Sequence, residues 1–484
     1  VRSLMRTLPC LFAGVVLGAG AALAVEPVET PRPIPLTRPE MKALLEDMKT
    51  RKLRIPLPEL TEEQKQELGE RANNYESRLR AAYLPPGEGS VFGGGGRPAG
   101  NNAAGGAPGA APPQRDFTRN ADEKMSLTYP FKTKLFWIVS RTNNCQYCLG
   151  HQEQKLAAAG LSEEEIASLD SNWARFSPAE QAALAWARKL TYEPHLLSDS
   201  DIAELKQHYT EMQILEMTMS VAGNNAINRW KEGAGIPQSQ SGSNFFRRVP
   251  ESAPANRPLP IESFLTPTPA EFEKARSAVA TYELDEQTGR PVAVSTRPKL
   301  ESRGEVLAAL TAAKSRTPRL PVPTEDDARR DLGENAPAGK LPLWMRLVAN
   351  FPNESRGRIR AINAIESTQG DLSPVLKAQV SWIIARQDRA WYATGVVMQR
   401  LKELGQTEDQ IFALDGDWAQ FSPAERAMFQ FARHLAATPI ALTDADVAEA
   451  LERTSPRQVV QLVNFVTSRA YFDRVTEAAG LPLE

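Results

Sequence analysis

Apolar residues recur three and four apart along two long stretches of the chain, and strand-like alternation is weak throughout. Lys132 to Ser140 and Lys377 to Ala385 carry apolar side chains at helical spacing, and Ala182 to Leu190 reads as a core helix. Start signals precede several of these runs. Ser162-Glu163-Glu164-Glu165 has the form of a capping box ahead of Ile166 and Leu169. Ser177-Pro178-Ala179-Glu180 offers a capping hydroxyl, a proline at the first helical position and an acid in the first turn. Ser198 or Ser200 can cap a helix through Leu205, and Glu211 to Asn228 supplies another before the Gly235-Ile236-Pro237 stop. The pattern predicts an all-α fold in which each stretch forms a bundle of five to seven helices.

Upstream, the sequence predicts a helix from Pro39 to about Lys52, a Pro-interrupted strip Arg54-Ile55-Pro56-Leu57-Pro58, and a charged helix from Thr61 to about Ala82. From Leu84 to Arg115 Gly, Pro, Ala and Asn dominate, a composition that buries too little surface to order itself and reads as a flexible loop. Residues 238–300 are a second poorly patterned stretch.

The two helical stretches repeat each other. At a constant offset of 245 residues Trp137 pairs with Trp382, Arg141 with Arg386, Tyr147 with Tyr392, Gly160 with Gly405, Trp173 with Trp418 and Pro237 with Pro482. The flanking arms repeat at an offset of 265, where Lys49, Arg51, Arg54, Pro56 and Pro58 match Lys314, Arg316, Arg319, Pro321 and Pro323. The reading is a tandem duplication, arms included. The recurring tryptophans are expected to be core anchors, and the recurring Arg229 and Arg474 to cap or pair.

Charge removes one class of function. With Lys+Arg 57 against Asp+Glu 59 and a net charge of -2, the chain lacks the basic excess of a protein that binds nucleic acid in bulk. Its 3 cysteines cannot form a disulfide scaffold at this length, so their positions matter more than their number. Arg2 and Arg6, the apolar run Leu11 to Leu23 and the closing Ala22-Leu23-Ala24 read as a signal peptide over 1–24, cut after Ala24. The run is shorter than the ~20 residues of a membrane span and is broken by glycines, so no stable span is expected after cleavage. Cleavage also removes Cys10. Cys145 and Cys148 then stand as the only pair, in an exported, periplasmic or secreted bacterial setting.

The pair lies in Asn143-Asn144-Cys145-Gln146-Tyr147-Cys148-Leu149-Gly150-His151. Cysteines three apart on a helix share a face, so one sulfur can attack a substrate and the other can resolve the product as a disulfide. Asn143 or Asn144 is expected to cap the helix, whose N-terminus favours thiolate over thiol. His151 follows on the same face and can take or return a proton. In the second stretch these three become Ala390, Ala393 and Val396, while Tyr392 and Gly395 persist, which marks the reactive residues as dispensable to folding. Covalent haem needs a histidine directly after the second cysteine, and Leu149-Gly150 intervene. A metal site lacks ligands beyond Glu153. Neither cofactor nor metal is therefore expected. A fixed Cys145–Cys148 disulfide in a non-enzymatic binding or assembly protein remains the alternative to a cycling dithiol, although so short a loop would add little stability. His195, His208 and His434 read as solvated or packed side chains, and Asn224 and Asn225, which become Arg469 and Ala470, as candidates for the same cleft.

The C-x-x-C pair followed by histidine on an all-helical block resembles the carboxymuconolactone decarboxylase family, in its AhpD-like alkylhydroperoxidase branch. The resemblance covers about 119–237, and 340–482 as a degenerate copy. It implies a thiol-dependent peroxidase in which Cys148 attacks, Cys145 resolves and His151 assists proton transfer, with a peroxide or disulfide as substrate and an unknown thiol reductant. That family commonly has histidine four residues after the second cysteine and glutamate twelve before the first. Here Gln152 and Thr133 stand in those places, so Glu153 becomes the candidate proton relay. Family sites lie near subunit contacts, which implies a homo-oligomer or a second copy acting as the partner. The expected organisation is a signal peptide at 1–24, an N-terminal arm and Gly/Pro-rich loop at 25–118, the helical domain with the C-x-x-C-x-x-H site at 119–240, a linker and second arm at 241–335, and the degenerate domain at 336–484.

Overall fold

The computed structural model describes residues 32–85, 88, 120–238, 263–293, 299–367 and 370–484. The expected signal peptide and nearly all of the expected Gly-rich loop lie outside them. The fold is all-α. An arm of α1 (Arg38–Asp47), α2 (Glu62–Leu68) and α3 (Tyr75–Tyr83) precedes a first block of six helices. These are α4 (Tyr129–Thr142), α5 (Gln146–Ala158), α6 (Glu163–Ser171), α7 (Pro178–Tyr192), α8 (Asp199–Lys206) and α9 (Glu211–Gly233). A two-residue antiparallel hairpin sets Glu283 opposite Val292. Then come α10 (Arg303–Lys314), α11 (Glu325–Leu332), α12 (Leu343–Val348) and α13 (Pro352–Ser367). The second block holds α14 (Pro374–Asp388), α15 (Trp391–Glu403), α16 (Glu408–Ala413), α17 (Pro423–Ala436), α18 (Asp444–Arg453) and α19 (Pro456–Ala478).

The local signals act where the sequence puts them. Ser162 and Ser177 close reciprocal capping boxes with Glu165 and Glu180. Ser198 rather than Ser200 starts α8. The charged helix expected over 61–82 is broken, because Gly69 takes a positive φ of 55° that ends α2, and Asn74 caps a fresh start at α3. The helix expected from Pro39 begins one residue earlier, capped by Thr37, and after Asp47 tightens into the 3₁₀ turn Met48–Thr50.

The long helices α9 and α19 form the centre and make the most extensive helix–helix contact in the fold. Gly233 permits the approach, since a Cβ there would lie 2.8 Å from Val463. Contacts across this interface come in pairs at the 245 offset. Arg229 donates to the Ala436 carbonyl at 3.0 Å, and Arg474 donates to the Thr191 carbonyl at 3.1 Å. Arg474 also pairs with Asp388. Arg54 bonds the Glu232 carbonyl and reaches Asp444, while Arg319 bonds the Glu477 carbonyl and reaches Asp199. The arms cross in the same way. Ile55 and Leu79 are buried with the second block and Leu320, Ala328 and Leu332 with the first, while Met41 and Leu45 stay with the first and Val306 and Leu310 with the second, so each arm packs on both. Trp137, Trp382 and Trp418 are core residues as expected, whereas Trp173 is only partly buried at its edge. Among the described residues no helix is long and apolar enough to cross a membrane.

Candidate redox site

The site begins at the joint between α4 and α5. After α4 the chain passes through Asn144 at φ 56°, a left-handed conformation that asparagine tolerates better than most residues, and α5 starts at once. Arg389 takes φ 52° at the matching joint of the second block. The expected asparagine cap is not what forms. Asn143 Nδ2 donates to the side chains of Asn225 and Asn228, each at 2.9 Å, and Asn144 Nδ2 donates to the Pro33 carbonyl at 3.2 Å. Neither side-chain oxygen reaches a backbone N–H of α5: Asn143 Oδ1 accepts from Arg229 at 3.2 Å, and Asn144 Oδ1 accepts from the Gln146 side-chain amide. Cys145 is itself the N-cap, its Sγ accepting the Cys148 N–H at 3.4 Å. Asn225 thus supports the joint through Asn143.

Both thiols are free and almost fully enclosed, at 0% exposure for Cys145 and 2% for Cys148. Burial pushes the Cys145 thiol well above its ordinary range, and neighbouring Cys148 and the anionic Glu232 push it further. Glu232, near the end of α9, is the group that sequence reasoning missed. Its Oε2 is taken by Arg32 at 3.0 Å and Arg51 at 3.4 Å. Its Oε1 has no conventional partner among the described residues, and Cys145 interacts with this carboxylate. Burial alone would raise Glu232, but Arg32, Arg51 and Arg54 outweigh it and hold the carboxyl at about 2. The proton therefore stays on Cys145, against a permanently charged acceptor. Glu477 matches Glu232 in the second block, and this persistence is what hid it. In that block Arg316 holds Glu477, which accepts the Trp391 N–H and so caps a helix whose own N-cap is Ala390.

Cys148 faces a different set of groups. Lys155 interacts with it electrostatically, and burial with Lys231 repulsion brings that ammonium down to about 8 despite the pull of Cys148. His151 Nδ1 donates to the Tyr147 carbonyl at 3.1 Å, and its ring stacks on Tyr147 with centroids 4.3 Å apart. That bond leaves Nε2 as the acceptor nitrogen of a neutral ring. Burial, then Lys155 and Lys231, push the imidazole down to about 3. Lys231 lies 4.6 Å from the Tyr147 ring centre and pairs with Glu76 of the arm.

Glu153 does not join this group. Its oxygens accept from Arg38 at 2.8 and 3.2 Å and from Trp137 Nε1 at 2.6 Å, a buried structural pair that occupies both of them. The helix periodicity put Glu153 near the pair but not which way it turns. The face of α5 beyond Cys148 is covered. Gln238 Nε2 donates to the Gln146 and Tyr147 carbonyls, and a Cβ on Gly150 would lie 2.9 Å from Phe264 Cζ. Phe264 is pinned from the arm, its N–H donating to Glu46 and Lys49 lying 5.4 Å from its ring. Arm and linker, which looked peripheral in sequence, thus cover the face of α5 that carries Gly150.

Among the other histidines, His434 is buried and paired with Asp446 at 2.9 Å, His195 lies 3.3 Å from Arg389, and His208 packs edge-on near Tyr209. Among the described residues no group of three or more His, Cys, Asp or Glu side chains could hold a metal ion. Comparison with known protein families matches residues 138–189 to the carboxymuconolactone decarboxylase family. The match runs from within α4 to within α7 and includes Cys145, Cys148 and His151. No curated protein matches the chain.

Proposed function

We propose that this protein is an exported thiol-dependent peroxidase of the AhpD-like alkylhydroperoxidase branch, working through Cys148 and Cys145. The observation that carries the reading is the pair of cysteines at the start of α5, close enough for Cys148 N–H to bond Cys145 Sγ at 3.4 Å, set between Glu232 and Lys155 within the family-matched segment. Cys148 sulfur attacks a peroxide oxygen, the O–O bond breaks and the alcohol leaves with a proton, giving Cys148 sulfenic acid. Cys145 then attacks that sulfur, forming the disulfide and releasing water whose second proton is the one Cys145 held beside Glu232. An external dithiol supplies two electrons to restore the pair. Lys155 steadies negative charge at Cys148, and His151 acts as a neutral acceptor through Nε2 rather than as an imidazolium. Glu232, not Glu153, is the carboxylate beside the pair, and it holds the Cys145 thiol proton in place rather than relaying it.

The chain in this reading is a tandem duplicate. Its second block has lost the thiols and stands where a partner subunit would pack, as the paired exchanges of Arg54 with Asp444 and Arg319 with Asp199 suggest. The test is peroxide consumption by the reduced full-length protein with a defined dithiol. Cys148→Ser should abolish it, and Cys145→Ser should accumulate sulfenic acid that dimedone traps. A pair that resists dithiols and consumes no peroxide would leave the fixed-disulfide reading instead.

A further inference from the structure

A cleft of about 1170 Å³ lies over α15, the helix that matches α5 at the 245 offset, and is walled by α10, α13 and α14. That is ample for a small molecule, whose sites run to roughly 1,000 Å³. The block that carries the cleft lacks the thiols, and a second replacement bears on its lining. In the first block the His151 imidazole stacks on the Tyr147 ring. At the matching places Tyr392 keeps its ring but Val396 replaces the imidazole, and both residues line the cleft. Val396 on α15 is 38% exposed and Leu307 on α10 is 37% exposed, so apolar side chains face the opening from two walls. The buried lining is aromatic. Trp344 and Tyr392 pack against Phe472 with ring centroids 5.5 and 6.0 Å away, and all three border the space. Met345 and Met398 add thioethers, which adapt well to aromatic rings.

The charged lining is already neutralised from within the protein. Glu403 pairs with Arg400 at 3.4 Å, Glu484 with Lys340 at 3.1 Å and Glu366 with Arg469 at 3.6 Å. Arg469 also pairs with Asp473 at 3.1 Å, and Lys402 with Glu408 at 3.3 Å. Lys377 donates to the Ile365 carbonyl at 2.7 Å and is attracted by the Glu88 and Glu366 carboxylates. Lys314 is exposed, where water solvates it. A ligand of either charge would give up its hydration here without finding a free counter-charge. An uncharged one has no such cost and gains by covering Leu307 and Val396. Aromatic rings suit the remaining lining, since they pack edge-on or offset against other rings and take up the place the imidazole has in the first block.

We propose that this cleft binds an uncharged aromatic small molecule, with its rings against Trp344, Tyr392 and Phe472 and its outer edge covering Leu307 and Val396. The block without thiols thereby carries a binding site of its own, and this inference does not depend on peroxidase activity. The test is fluorescence titration of the full-length protein with phenylnaphthylamine, alongside anilinonaphthalene sulfonate, which adds a negative charge to the same ring skeleton. Phenylnaphthylamine should saturate at one site per chain and bind at least tenfold more tightly than the sulfonate. Leu307→Glu and Val396→Glu, at positions exposed enough to leave the thermal melt unchanged, should each weaken it about tenfold. Val396→Trp, which fills the opening without adding charge, should weaken it as much. Leu284→Glu, at an exposed apolar position away from the cleft, and Cys148→Ser should change nothing. Absence of saturable binding, equal or tighter binding of the sulfonate, or affinity that survives all three cleft substitutions would each overturn the proposal. So would a loss in Leu284→Glu as large as in Val396→Glu, which would mark the dye as coating exposed apolar surface in general.

Discussion

Replacing Glu232 with glutamine tests the electrostatic account of the site. The substitution keeps the shape and removes one negative charge from a position with no solvent exposure, beside Arg32 and Arg51 and near Arg54. Arg54 is already brought down to about 10 by burial and by its two arginine neighbours, so these cations rely on Glu232. The carboxyl moves from an ordinary 4.5 to about 2, and at 1.36 kcal/mol per pKa unit that depression corresponds to roughly 3 kcal/mol of stability at neutral pH. The same size is expected from ~3–5 kcal/mol for leaving a buried charge uncompensated. Because the folded value lies below the unfolded one, this contribution is fully present above about 4.5 and is lost as pH falls through about 2. Urea denaturation of wild type and Glu232→Gln, followed by tryptophan fluorescence from pH 7 down to pH 3, should give a gap near 3 kcal/mol that narrows with acid. The variant should also bring the Cys145 thiol down, since one of the groups raising it is gone. A variant as stable as wild type at pH 7, or a gap that ignores pH, would refute the reasoning.

Four further outcomes follow from the same geometry. Lys155 carries its charge below about 8, so the alkylation rate of Cys148 should show an inflection there that Lys155→Met removes; an inflection that survives the substitution assigns it elsewhere. His151 is neutral above about 3, so the rate should show no histidine step near 6.5, and His151→Phe should change its height without moving its inflections. Gly150→Ala forces a methyl group toward Phe264 Cζ and Gln238 and should cost ~1–3 kcal/mol by overpacking; an unchanged urea midpoint would show that the contact gives way freely. Asp444→Asn and Asp199→Asn should each cost under ~1 kcal/mol in thermal melts, because those carboxylates are 82% and 91% exposed despite their arginine partners.

Much of the site was legible in one dimension. Cys145, Cys148 and His151 stood out because the chain contains its own comparison, in which Ala390, Ala393 and Val396 fill the same places. That comparison also misled. Glu232 persists as Glu477, so a filter for residues that differ between the stretches passes over it, although only the first-block carboxylate has a thiol for a neighbour. Glu153 was chosen for closeness along the helix, and its side chain turns to Arg38 and Trp137 instead. Asn143 and Asn144 were sound capping residues whose side-chain oxygens found other partners, Arg229 and the Gln146 side chain, leaving the cap to a sulfur.

The sequence by itself determined the helices, because apolar period, capping boxes and Pro or Gly stops act within a few residues of where they are written. It also fixed the spacing of Cys145 and Cys148, three residues apart. Only the tertiary structure decided which charges meet the thiols and what covers the Gly150 face of α5. Arg32, Arg51 and Arg54 reach Glu232 across 178 to 200 residues of chain, and Phe264 reaches α5 from a linker with no pattern to read. Such encounters are set by how helices pack and arms cross, and sequence spacing carries no record of them.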